Sequence, residues 1–98
     1  MALRQYVDNG GNLYRGGNLG RSYIADGQFW APESPLMPGY AEKYGVDFNE
    51  LDFIARGKQM SKAPYITRPA PGLRLNPGGS LEVVNDPYSV LLDYFYMP

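Results

Sequence analysis

The sequence predicts a single small α+β domain, built on a mainly antiparallel β-sheet with one or two short helices. Three observations lead there. Short apolar and aromatic runs recur along the chain, each cut off by Gly, Pro, Asn or Asp, the pattern of brief strands joined by turns. Only two stretches carry apolar residues at helical spacing. No internal repeat is present, and 98 residues are enough for one core and not for two.

Composition agrees with a folded, loop-rich domain. The chain is 44% hydrophobic with nine Tyr, and its 12 Gly and nine Pro fall between the apolar runs instead of forming a low-complexity tract. Without Cys there is no disulfide framework and no Cys-ligated zinc site. Without His the commonest general base is missing, which excludes His-based ribonucleases, Ser-His-Asp hydrolases and ordinary zinc hydrolases. Chemistry is left to carboxylates, Arg, Lys, Tyr, Ser and Thr. A net charge of -1 gives no overall field for a polyanion. No stretch is long and apolar enough to span a bilayer, and the N-terminus lacks a signal-peptide core.

Residues 1–12 end in Asp8-Asn9-Gly10-Gly11-Asn12, a turn signal, and read as a linker-like segment ahead of a single domain over 13–98. Leu13-Tyr14-Arg15 is a strand stopped by Gly16-Gly17, and Gln28 to Ala31 is a second, stopped by Pro32. Asn18 to Gly27, with Arg21 and Tyr23, reads as a loop between them. Pro35 to Tyr44 predicts a short helix, with Pro38 in the first turn, Tyr40, Ala41 and Tyr44 on one face, and Gly45 as the stop. Asp47 to Glu50 has capping-box spacing and predicts a second helix closed by Gly57, although Leu51 to Arg56 serves equally as a strand. Tyr65-Ile66-Thr67 is a strand followed by a rigid loop from Arg68 to Gly72. Leu81 to Val84 and Val90 to Tyr96 are expected to form a hairpin across Asn85 to Ser89, and Phe95 to Pro98 is too apolar for a loose tail.

Glu82 interrupts the apolar run Leu81-Glu82-Val83-Val84. Two readings are open. Strand alternation would turn Glu82 to solvent while Leu81 and Val83 point inward. A buried carboxylate, by contrast, requires a partner or a cleft, because desolvation disfavours its ionised form.

Leu13-Tyr14-Arg15-Gly16-Gly17, Phe29-Trp30-Ala31-Pro32 and Gly79-Ser80-Leu81-Glu82-Val83-Val84 resemble, in order and spacing, the three motifs of ADP-ribosyltransferase toxins. The resemblance implies a split, mainly antiparallel sheet and NAD as a substrate, with no metal. It implies Arg15 and Gly16 at the NAD phosphates or ribose, Trp30 against the nicotinamide, Tyr44 among the NAD-binding residues, and Glu82 as the catalytic residue that steadies the oxocarbenium ion formed as nicotinamide leaves. Those residue types suit the task. Arg supplies a planar fork of donors for a pyrophosphate, Gly lets the backbone approach closely, and an indole offers a flat face. Ala31 stands where the family usually has Ser or Thr, and Ser80 where it usually has Gln or Glu, which leaves acceptors other than a protein arginine open.

The wider sequence, especially Gly39 to Gly45 and Thr67 to Gly72, resembles C-terminal toxin domains of Rhs, contact-dependent-inhibition and related polymorphic toxin systems. That implies interbacterial competition: delivery on a larger carrier polypeptide, action in the target-cell cytoplasm on a bacterial protein or RNA, a cognate immunity protein, and no membrane insertion by this domain. Two other classes stay in view. One is a His-free ribonuclease with Glu82 as base and Arg15, Arg68 or Lys62 as phosphate clamps. The other is a non-catalytic binding module using its Tyr-rich surface. Residue by residue, Arg15 reads also as a surface strand residue and Trp30, Tyr40 and Tyr44 as core. Arg68 and Arg74 read as solvated loop charges, and Asp86 and Asp93 as turn and surface residues.

Overall fold

The computed structural model describes residues 2–17, 29–46, 53–73, 75–86 and 89–97, and in them strands outweigh helices. Helix α1 (Ala2–Asp8) is followed by β1 (Leu13–Gly17), β2 (Phe29–Trp30), helix α2 (Tyr40–Tyr44), β3 (Phe53–Gln59), β4 (Tyr65–Pro69), β5 (Leu81–Asn85) and β6 (Val90–Tyr96). The strands form two antiparallel sheets of three, ordered β1-β3-β6 and β2-β5-β4. The α+β class with an antiparallel sheet and two short helices is therefore as the sequence predicts.

The main core lies between the sheets. Leu13, Phe53, Ala55 and Val90 come from one sheet, Trp30 and Val83 from the other, and all are buried. Leu3 and Val7, one helical turn apart on α1, add to the same cluster. The segment read as linker-like thus contributes to the core, although the turn at its end is present, with Gly10 at φ 82°. A second cluster, Ala31, Tyr40, Tyr44 and Ala70 with Val46 against it, fastens α2 to the outer face of the β2-β5-β4 sheet.

Helix α2 is shorter than the predicted Pro35 to Tyr44. The chain turns first, Met37 N–H donating to the Ser34 carbonyl at 2.9 Å, and the helix begins after Gly39 at φ 81°. Gly45 ends it in the left-handed region, as expected of a glycine stop. Gly45 could not be another residue without strain, because a Cβ there would run into the Pro71 carbonyl.

Of the two readings around Leu51 to Arg56, the strand is found. Residues 47–52 lie outside the described residues, and Phe53–Gln59 is β3, the central strand of its sheet. Gly57, read as a helix stop, sits inside that strand where β6 bulges. Arg56 opposes Tyr94 but Gly57 opposes Leu92, so Asp93 is the extra residue, and it receives Arg56 Nε at 2.8 Å. The loop expected from Arg68 begins later, because β4 runs to Pro69; as an edge strand it tolerates a proline at its end. The predicted loop over Asn18 to Gly27, and Arg74, fall outside the described residues.

The expected hairpin of β5 and β6 does not form. Strand β5 has β2 on one edge and β4 on the other, so no edge is left, and β6 crosses to the free edge of β3. The crossing is fixed by Asn85 Nδ2, which donates to Gln59 Oε1 at 2.8 Å, and by Met60 N–H, which donates to the Ser89 carbonyl at 2.7 Å. The apolar C-terminal run is in the sheet, with the Phe95 ring stacked on Phe53 at 5.4 Å between centroids.

Candidate active site

Strands β1 and β2 touch through one bridge among the described residues. Tyr14 N–H donates to the Ala31 carbonyl at 2.7 Å and Ala31 N–H to the Tyr14 carbonyl at 2.9 Å. If the pairing continued, Arg15 would oppose Trp30 and Gly16 would oppose Phe29. Instead the strands separate: Arg15 and Gly16 pair with Ala55 and Ile54, and Trp30 and Phe29 pair with Val83 and Val84. The four residues left facing the split line a cleft of about 180 Å³, completed by Ala31, Tyr40, Tyr44, Val46 and Glu82.

All five sequence-predicted site residues, Arg15, Gly16, Trp30, Tyr44 and Glu82, line this one cleft. They arrive from β1, β2, α2 and β5, segments remote in sequence. Trp30 is only 1% exposed and belongs to the main core, so it forms wall more than open face, whereas Phe29 is half-exposed at the rim. Tyr40 is the lining residue that sequence reasoning assigned to the core alone; its four-residue spacing from Tyr44 held the information. Their rings stand 4.9 Å apart.

Glu82 is 6% exposed. Alternation holds, since Glu82 faces away from Val83 and the main core, but the opposite face of β5 is covered too. The chain entering β5 is hydrogen-bonded to α2, Gly78 N–H donating to the Glu42 carbonyl at 2.7 Å and Ser80 N–H to the Lys43 carbonyl at 3.1 Å. That contact brings the tyrosine face of α2 over the carboxylate. Directly across the ladder, Arg68 donates Nε to Glu82 Oε2 at 3.0 Å, and its guanidinium lies over the Phe29 ring at 5.0 Å. Arg68 is thus no solvated loop charge: it sits on β4 and is paired.

The field in the cleft is mixed. Burial raises the Tyr40 hydroxyl far above its ordinary pKa of 10.0, the negative charge of Glu82 raises it further, and Arg15 opposes the shift. Burial likewise raises Tyr44, helped by its bond to Glu33 Oε2 at 2.6 Å. Both rings stay neutral at physiological pH, and the Tyr44 hydroxyl is turned to Glu33. Tyr44 in turn holds the Glu33 carboxyl below its ordinary value, with Lys43 Nζ adding a bond at 3.1 Å. No sequence signal pointed to Glu33.

The volume is below that of pockets enclosing a whole drug-sized ligand, roughly 300–1,000 Å³. It suits one ring or one sugar of a longer molecule, the remainder passing over Arg15 or the Phe29 rim. Lys62 is not gathered here; it lies at φ 69° in the β3–β4 turn and lines a separate cavity with Asp8 and Tyr65. Among the described residues no group of three or more carboxylates is assembled as metal ligands. Compared with protein-family models, curated proteins and solved structures, the chain matches none.

Proposed function

We propose that the cleft is the active site of an NAD-dependent ADP-ribosyltransferase toxin domain. One observation carries this reading: a first-strand arginine, an aromatic pocket and a buried late-strand glutamate converge where two sheets split apart. The three are far apart in sequence, and the motif resemblance requires them together. NAD supplies the ADP-ribosyl group, the bond from ribose C1′ to the nicotinamide nitrogen breaking with its electron pair leaving on nicotinamide. Glu82 then faces the positive charge developing at C1′, a stabilisation that in water-poor sites is worth about 3–4 kcal/mol. Arg15 offers charge-assisted donors to the phosphates, and Gly16 lets them approach the backbone. Trp30, Tyr40 and Tyr44 wall off the ring end from water. A protein or RNA acceptor replaces nicotinamide at C1′ and gives up its proton. Delivery on a carrier polypeptide, action in the cytoplasm of a competing bacterium and restraint by an immunity protein complete the proposal, on the resemblance to polymorphic toxin domains.

The test is nicotinamide release from NAD by the purified protein, with and without a bacterial lysate as acceptor. Release is expected, and Glu82→Gln is expected to lower kcat by roughly 10²–10³-fold with NAD affinity nearly unchanged. A folded protein that releases no nicotinamide but cleaves RNA without NAD would overturn the reading.

A further inference from the structure

Arg68 is absent from the lining of the cleft, yet its Nε donates to the carboxylate that would work there, at 3.0 Å. We propose that Arg68 is the positioning residue of Glu82, acting from outside the cleft; this rests on the transferase reading of that site.

Three observations combine. First, the two residues are direct cross-strand partners on β4 and β5, so the backbone ladder fixes their separation and leaves only side-chain torsions to set. Second, the partners differ in exposure: the Glu82 side chain is 8% exposed and the Arg68 side chain 42%. A buried carboxylate needs a partner for its charge, while the guanidinium keeps much of its hydration and loses little by pairing. Third, the guanidinium is itself held, lying on the Phe29 ring, so the Nε–H that meets Oε2 is not carried on a freely swinging arm. A charge that must face C1′ has to be aimed. Arg68 holds it in place without occupying the space a substrate needs. The arrangement also separates two arginine positions: Arg15 lines the cleft, whereas Arg68 holds the carboxylate from outside it.

The experiment measures nicotinamide release by wild type, Arg68→Ala, Arg68→Lys and Arg56→Ala, each checked for folding by circular dichroism. Arg56 pairs with Asp93 in the other sheet and controls for loss of an arginine–carboxylate pair as such. Arg68→Ala is expected to lower kcat by on the order of 10- to 100-fold, the cost of a misplaced reacting group, with KM within about threefold. Arg68→Lys keeps the charge but not the fork and should recover part of kcat. Arg56→Ala should match wild type. If wild type is active and Arg68→Ala retains its kcat, the positioning role is wrong and the transferase reading stands. If wild type releases no nicotinamide, both fall. If Arg68→Ala fails to fold, Arg68→Lys decides alone: a kcat identical to wild type would overturn the role, and a reduced kcat at unchanged KM would support it.

Discussion

Tyr14 and Ala31 exchange both backbone hydrogen bonds, at 2.7 and 2.9 Å, and through them the two three-stranded sheets are stitched edge to edge. The next residues on either side of the bridge, Arg15 and Trp30, already belong to separate sheets and line the cleft. The bridge therefore sets where the split begins.

Ala31→Pro tests that role. Proline removes the donor to the Tyr14 carbonyl, which leaves a backbone acceptor without its partner beside the buried Ala31. A loss of about 1–3 kcal/mol is expected, read as a lower urea midpoint with unchanged m-value. An unchanged midpoint would mean the sheets are held together elsewhere.

Arg15 should act on binding. Replacing it with Ala removes charge-assisted bonds worth about 1.5–3 kcal/mol, so KM for NAD should rise roughly tenfold or more while kcat changes less. Arg15→Lys should fall between, because an ammonium carries the charge without the planar fork. Equal losses in kcat and kcat/KM would assign Arg15 to the transition state instead.

Stability should fall at both ends of the pH range. The depressed Glu33 carboxyl stabilises the fold fully above about pH 4.5, and that contribution is lost as pH drops through its lower folded value. Tyr40 and Tyr44 have the opposite sign. Their raised hydroxyls stabilise the fold fully below about pH 10, and the contribution is lost as pH rises beyond it. In urea midpoints taken across pH, Tyr40→Phe should flatten the alkaline limb alone, while Tyr44→Phe should flatten both, since it also frees Glu33. An acid limb in Tyr44→Phe as steep as in wild type would contradict the coupling.

Gly57→Ala should weaken the β3–β6 ladder. A Cβ at this site would stand 2.5 Å from the Leu91 carbonyl oxygen and 2.6 Å from Val90 Cγ1, so the strands must move apart. The expected cost is about 1–3 kcal/mol, visible in thermal unfolding. Activity at a given temperature below the transition should persist, because the cleft lies at the opposite edge of that sheet.

Most strands were legible because β-branched and aromatic runs bounded by Gly and Pro report their own local geometry. The candidate site was legible through residue types that are out of place locally: a carboxylate among valines at Glu82, an arginine against glycines at Arg15. Partnership was not. Whether β5 pairs with β6 depends on which sheet edges are already taken, and nothing in Leu81 to Tyr96 records that β2 occupies the edge of β5. The fate of Glu82 was hidden for the same reason, since alternation gives its face but not that α2 covers it. Likewise Leu51 to Arg56 suits both helix and strand, and the central place of β3 between β1 and β6 decided for strand.

Partnership also differs in reach. Leu13 finds Gly57, Phe29 finds Val84 and Ile54 finds Tyr96, but Pro69 finds Leu81 across a much shorter loop, and the β4–β5 ladder is the most local among the described strands. Closing a short loop costs least entropy, so this pair of strands is expected to assemble early, with amides of Ile66 and Val84 protected before those of Arg15 and Ile54 in pulse-labelled refolding. Later protection there would refute the order. The ladder that forms first is the one that sets Arg68 opposite Glu82, so the carboxylate meets its counter-charge while still wet, and no stage of folding has to bury it alone.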